Sequence, residues 1–172
     1  ELDAFYSART KKDINAGFGL NLYDVTADRV IELVPKIDEL FPILKSFKGN
    51  LNCEVAATTQ LDTNMNFQIP SLTGAFKISG NNLAIEDMGS LSKLTRRLLF
   101  KHPDYADVDS MSVMGIISDN QLQIFPFLLS IDRYRLALAG EQDFGSQFNY
   151  HASIIRSPLP FKIGVDIYGK SF

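Results

Sequence analysis

From Ile14 to Leu22 apolar residues fall on alternate positions, with Asn15, Gly17, Gly19 and Asn21 between them. That is the period of a strand buried on one side. After Thr26 the period lengthens. Val30, Leu33 and Val34 share a helical face, and Ile37, Leu40, Phe41, Leu44 and Phe47 continue at helical spacing. Thr26 can cap the first helix. Pro35 divides the run, because proline lacks an N–H and disfavours the helical basin just before it. The spacing predicts two short helices, the second ending at Gly49 with Pro42 near its start.

Alternation then returns as Leu51, Cys53, Val55, Ala57, Thr59 and Leu61, as Met65, Phe67 and Ile69, and as Leu72, Gly74, Phe76 and Ile78. The breaks at Asp62-Thr63-Asn64 and Pro70-Ser71 predict consecutive antiparallel strands, and Gly80-Asn81-Asn82 has the composition of a tight turn leading into Leu83 to Glu86. A third helix is expected over Ser90 to Phe100, with Leu91, Leu94, Leu98 and Leu99 on one side, ended by His102-Pro103-Asp104. The last third is strand signal: Met111 to Ser118, a turn at Asp119-Asn120, Gln121 to Pro126, Phe127 to Arg133, Tyr134 to Gly140, Gln147 to Ile155 and Phe161 to Tyr168. Short strands at such spacing suggest a meander whose open edges would be covered by neighbouring segments of a longer chain.

With 172 residues the chain has the length of one domain, expected over 1–172 as a helical pair at about 26–48 and a sheet with one helix at about 50–168. The start at Glu1, with no methionine, signal-like block or basic stretch, suggests a processed or excised piece. A net charge of -3 supplies no basic field for phosphate backbones, so nucleic acid is not an expected partner. No run approaches the roughly 18 apolar residues of a membrane span.

Little in the chain points to catalysis. Cys53 is the one cysteine, which leaves no second thiol for a redox pair or zinc site. His102 and His151 are the only histidines; one reads as a helix-end residue and the other as a strand-surface residue. Asp104, Asp107 and Asp109 lack the spacing, glycine and closing glutamate of an EF-hand and read as a solvated loop. Gly17-Phe18-Gly19 lies inside a strand pattern, where close packing explains it better than a phosphate cradle. Lys93, Arg96, Arg97 and Lys101 opposite a leucine face could meet lipid headgroups, although a helix capping its own sheet needs the same leucines. No metal, cofactor or catalytic residue is therefore expected.

The apolar alternation itself is the informative feature. Thirteen Phe and six Tyr are spread along the strands. They suit either a closed core under three helices or a concave sheet open to acyl chains, where burial gains about 0.8 kcal/mol per methylene. Alternation leaves both readings standing.

The order ADRVIELVPKIDELFPILKSFKGNLNCEVAATTQLDTNM, then LTGAFKISGNNLAIEDM, then VDSMSVMGIISDNQLQIFPFLLSIDRYRLALAGEQDFGSQFNYHASII resembles the C-terminal region of AsmA-like envelope proteins. The matching features are Gly49, the strands from Gly74 to Ile85, the strand Asp109 to Ser118, and Asn120 to Pro126 leading to Leu138-Ala139-Gly140. The likeness covers roughly 25–168, and its motifs are glycines, turns and alternation. It implies a long periplasmic protein, tethered to the inner membrane by a segment not in this chain, whose β-groove carries phospholipid toward the outer membrane without enzymatic chemistry.

The expected fold is α+β and mostly β: a curved antiparallel meander sheet with two to three short helices and an open apolar groove. The groove candidates are Phe67, Ile69, Phe76, Ile78, Val113, Leu122, Ile124, Leu136 and Leu138, which sit on neighbouring predicted strands. The expected partners are phospholipid, neighbouring segments of the parent chain and the membrane surface. A structural or interaction domain with a closed core and no lipid is the rival expectation.

Overall fold

A computed structural model describes residues 1–10, 13–33, 42–86, 105–131, 133–144, 147–158, 160 and 162–170. It contains β1 (Leu2–Thr10), β2 (Asp13–Thr26), helix α1 (Ala27–Leu33), a 3-10 turn (Pro42–Ser46), β3 (Phe47–Lys48), β4 (Asn50–Leu61), a second 3-10 turn (Ile69–Ser71), β5 (Thr73–Glu86), β6 (Tyr105–Ser118), β7 (Gln121–Ile131), β8 (Tyr134–Asp143), β9 (Phe148–Arg156) and β10 (Gly164–Gly169). All the strands join one sheet in the order β1-β2-β4-β5-β6-β7-β8-β9-β10, with β3 pairing β5 off this path. Every pairing is antiparallel, so the meander read from the sequence is the architecture.

The alternating residues explain the two faces. On β4, Leu51, Cys53, Ala57, Thr59 and Leu61 are buried. Their neighbours Asn50, Ala56, Thr58 and Gln60 are exposed. α1 forms where the alternation stops. Thr26 Oγ1 accepts from the Arg29 backbone N–H at 3.4 Å, and Ala27 and Val30 turn inward against β2 and β4.

Several strands are longer than the sequence implied, because residues read as breaks lie inside them. Gly80-Asn81-Asn82 is not a turn: β5 runs straight through it, with Asn82 at φ 52°. Buried residues change phase there, from Phe76, Ile78 and Gly80 to Leu83 and Ile85. The same two-residue exposed step recurs at Tyr23-Asp24 on β2, Asp109-Ser110 on β6 and Phe125-Pro126 on β7. Register shifts mark it between Leu22 and Val25 and between Ile124 and Phe127. Such bulges bend a strand and increase its twist without ending it. Thus the two strands expected from Gln121 and from Phe127 are one, β7, which ends at Ile131 and not at Arg133.

Other expectations need correction. Met65 to Ile69 is no strand. Asp62 Oδ1 accepts the backbone N–H groups of Asn64 at 2.8 Å and Asn66 at 2.9 Å, closing a turn that carries Met65 at φ 65°. The loop then docks where β5 has not yet begun, with Gln68 N–H donating to the Gln60 carbonyl at 2.9 Å. β1 was not anticipated, since Phe5 interrupts the alternation of Ala4 and Tyr6. Of the second helix, 42–46 is a 3-10 turn and Phe47–Lys48 is strand β3, not helix; the rest of it up to 41, with Val34 of the first helix, lies outside the described residues, as do the third helix, His102 and Asp104.

Candidate functional site

Directly paired residues of an antiparallel sheet share a face, so the registers trace what crosses the sheet. One row reads Leu2, Leu20, Val55, Phe76, Gly115, Ile124, Gly140, Tyr150, Ile167, from β1 to β10. The next reads Ala4, Phe18, Ala57, Gly74, Ile117, Leu122, Gln142, Phe148, Gly169. A third holds Leu22, Cys53, Ile78 and Val113, and resumes across the β7 bulge as Phe127, Leu138, Ala152 and Val165. A nearly unbroken apolar band therefore runs perpendicular to the strands. The opposite face mixes polar and apolar residues: one row reads Asn21, Glu54, Lys77, Met114, another Ala56, Ala75, Ile116, Gln123, Glu141, Asn149, and His151 pairs there with Ala139.

The structure gathers seven of the nine groove candidates on that band and separates two from it. Phe76, Ile78 and Leu122 are buried, at 6%, 5% and 0% exposure, so they belong to the core and not to an open lining. Val113, Ile124, Leu136 and Leu138 are half-buried against the same core. Phe67 is exposed and Ile69 opens a 3-10 turn, both in the loop beside β4. The sequence list missed Tyr150, Ala152, Val165 and Ile167 of β9 and β10, which are half-buried on the band. Their own alternation was the signal.

Glycines on the band are covered by rings from the neighbouring strand. A Cβ placed on Gly115 would lie 2.6 Å from Phe76 Cζ, and one on Gly169 2.7 Å from Phe148 Cζ. The Tyr150 ring overlies Gly140 in the same way. Each glycine accepts a ring where a side chain would stand, an arrangement that pins register. Polar atoms within the band are few. Tyr150 Oη donates to Gln142 Oε1 at 2.9 Å, and burial pushes the phenol up to about 12. Burial, aided by Glu54, likewise pushes the Cys53 thiol up to about 11, leaving it protonated and inert at neutral pH.

The accessible surface is 10548 Å², against roughly 8,400 Å² for a compact protein of 19.2 kDa. Much of a single-layer sheet faces solvent. A cleft of about 510 Å³ crosses β1, β2, β4 and β5 beside Phe5, Phe18, Ala57 and Gly74. A second, of about 350 Å³, lies at the β8 to β10 end between Phe148, Tyr168 and Lys170.

On the opposite face His151 Nδ1 is 2.6 Å from Asp166 Oδ1, and its Nε2 is 2.8 Å from Ser153 Oγ. The three residue types match a hydrolytic relay. Here they stand on an exposed sheet surface, where water competes for each group, and register alone accounts for them: His151 pairs with Asp166 across β9 and β10, and Ser153 is two residues along. His151 is thus the strand-surface residue its context implied. Among the described residues no group of three or more His, Cys, Asp or Glu side chains could hold a metal, and no helix is long and apolar enough to cross a membrane.

No protein family, curated protein or solved structure matches this chain.

Proposed function

We propose that this chain is a non-enzymatic lipid-handling segment of a bacterial envelope protein, whose apolar sheet face carries phospholipid acyl chains between the inner and outer membranes. The observation that carries the reading is the apolar band, which crosses the sheet from β1 to β10 without a charged side chain in its rows. Acyl chains need apolar area and no directional contact. The half-buried part, from Ile124 and Phe127 through Leu138 to Val165 and Ile167, is the stretch assigned to lipid. The parent protein is placed in the periplasm with an inner-membrane anchor, in line with the AsmA-like resemblance, and no cofactor takes part.

A second reading has its own support. The burial of Phe76, Ile78 and Leu122 suits a closed-core structural or interaction domain whose edges dock neighbouring segments of the parent. Native mass spectrometry with lipid extraction separates the two readings, using the chain purified from a bacterial envelope beside a Leu138→Asp/Val165→Asp variant. Phospholipid on the wild type and none on the variant, with matching circular dichroism, is the expected result. A folded wild type free of lipid would reject the lipid reading and leave the interaction domain.

A further inference from the structure

Thr59 and Gln142 carry polar side chains on the apolar face and are buried, at 4% and 7% exposure, yet they are satisfied to different degrees. The Thr59 hydroxyl lies 3.1 Å from the Gln68 carbonyl oxygen and 3.1 Å from Ser71 Oγ. Gln142 has one end occupied. Its Oε1 accepts from Tyr150 Oη at 2.9 Å, whereas its Nε2 has no acceptor among the described residues. A buried donor without an acceptor is destabilising unless something from outside supplies one. A trapped water needs about two to four polar partners. The residues that flank Gln142 across the sheet are Leu122 and Phe148, whose side chains offer none.

Position and chemistry narrow what that acceptor is. Gln142 stands one residue from the end of β8, in the row next to Gly140, Tyr150 and Ile167, and about 13 Å along the strand from Leu138. The half-open apolar stretch thus begins beside the amide. At the strand ends Gln121, Asp143, Gln147 and Lys170 line the cleft of about 350 Å³. An occupant must therefore give the amide an acceptor, lay apolar length on the stretch and present a polar end to the rim. A carboxylate is disfavoured as the acceptor, because no cationic side chain stands in the rows of the band to compensate it. A neutral ester carbonyl, with an alkyl chain on one side and a glycerol headgroup on the other, meets all three needs.

We propose that Gln142 is the polar anchor of the lipid stretch: its Nε2 donates to the ester carbonyl of a glycerolipid whose acyl chain lies along Leu138 and Ala152 and whose headgroup leaves at the Asp143 end of β8. This rests on the lipid reading above and adds to it the class of lipid, which is ester-linked, and the residue that selects it.

Competition between two lipids tests it. The delipidated chain is mixed with equal amounts of a diacyl phosphatidylethanolamine and its dialkyl ether counterpart of the same chain length, and the retained lipid is counted by native mass spectrometry. The wild type should retain the diester in about ten-fold excess, the worth of one hydrogen bond. Gln142→Leu removes the donor and keeps the apolar surface, so it should hold the two lipids equally. Gln142→Leu/Tyr150→Phe should do the same, and it keeps the test open should the single variant unfold, since removing both partners leaves no buried polar atom unpaired. A wild type that binds both lipids equally overturns the proposal and leaves the lipid reading intact. A diester preference that persists in the folded variants overturns the assignment to Gln142. A wild type that binds neither lipid overturns both readings together.

Discussion

The apolar face has two stretches with the same alternation and different fates. Across β4 and β5 it is mostly closed: Leu51, Cys53, Phe76 and Ile78 are at most 6% exposed, with Val55 and, on β6, Val113 half-buried beside them. Across β8, β9 and β10 it is half-open, and Leu136, Leu138, Tyr150, Ala152, Val165 and Ile167 keep part of their surface in solvent. What differs is the company each keeps. Ala27 and Val30 of α1, with Leu44 and Phe47 after it, join the core cluster that includes the β4 to β6 residues. Alternation decides which face is apolar; packing from outside the sheet decides whether that face becomes core or surface.

Charge placed on each stretch breaks the comparison most sharply. Ile78→Asp puts a carboxylate into the closed stretch and should cost about 4 kcal/mol or more, enough to unfold a chain of ordinary stability. Leu138→Asp can keep its carboxylate hydrated and should cost about 1 to 2 kcal/mol while the chain stays folded. Urea titrations followed by circular dichroism measure both. Equal losses would show that the β8 to β10 stretch is core as well.

Truncation asks the same question without charge. Leu51→Ala should lose about 2 to 5 kcal/mol, because Leu51 is 1% exposed and its cavity is walled by its neighbours. Ile167→Ala, on the strand next to solvent, should lose less than about 1 kcal/mol in the same titration, since the site can be filled by water. A loss at Ile167 as large as that at Leu51 would mean that something holds β10 as firmly as the centre.

Much of this was legible in the sequence, and the exceptions have physical causes. The strands from Leu51 to Leu61 and from Tyr134 onward follow from period-two alternation, and Asp119-Asn120 turns as its composition requires, with φ of 52° and 61°. The breaks at Asn81-Asn82 and Pro126 were misread because turn residues also serve at bulges, where strand pairing persists and only the phase changes. Phase changes also explain the mixed outcome for the groove. Phe76 and Leu122 were placed on the right face, but both are buried in the core cluster, and how far a face residue is covered depends on its packing neighbours, which alternation within a strand cannot encode. Phe67 and Ile69 failed for a local reason, the Asp62-capped turn that precedes them.

Glycines sharpen the comparison on a smaller scale. Gly115 lies beneath the Phe76 ring, whereas a Cβ on Gly19 would meet nothing nearer than Asp3 Cβ at 4.0 Å. Gly115→Ala should therefore lose about 1 to 3 kcal/mol, because its Cβ would press on both the Phe76 ring and the Gln123 carbonyl oxygen. Gly19→Ala should change stability by less than about 0.5 kcal/mol and can raise it, since alanine reduces the freedom of the unfolded chain. Thermal melts of the two variants make the test, and similar shifts would mean that the aromatic cover contributes nothing to register.

A single proton also reads the closed stretch. The Cys53 thiol ordinarily ionises near 9.0, and burial raises it to about 11 in the folded chain. Below pH 9 both states hold the proton and the contribution to stability is complete. Between pH 9 and 11 the unfolded chain releases the proton while the folded chain keeps it, so stability falls as pH rises through this window. Cys53→Ala removes that slope and adds a pH-independent loss from the small cavity. Urea midpoints at several pH values should therefore converge between wild type and variant as the pH rises from 9 to 11. Parallel curves would mean that water reaches the sulfur and that the centre of the apolar face is open, like the stretch from β8 to β10.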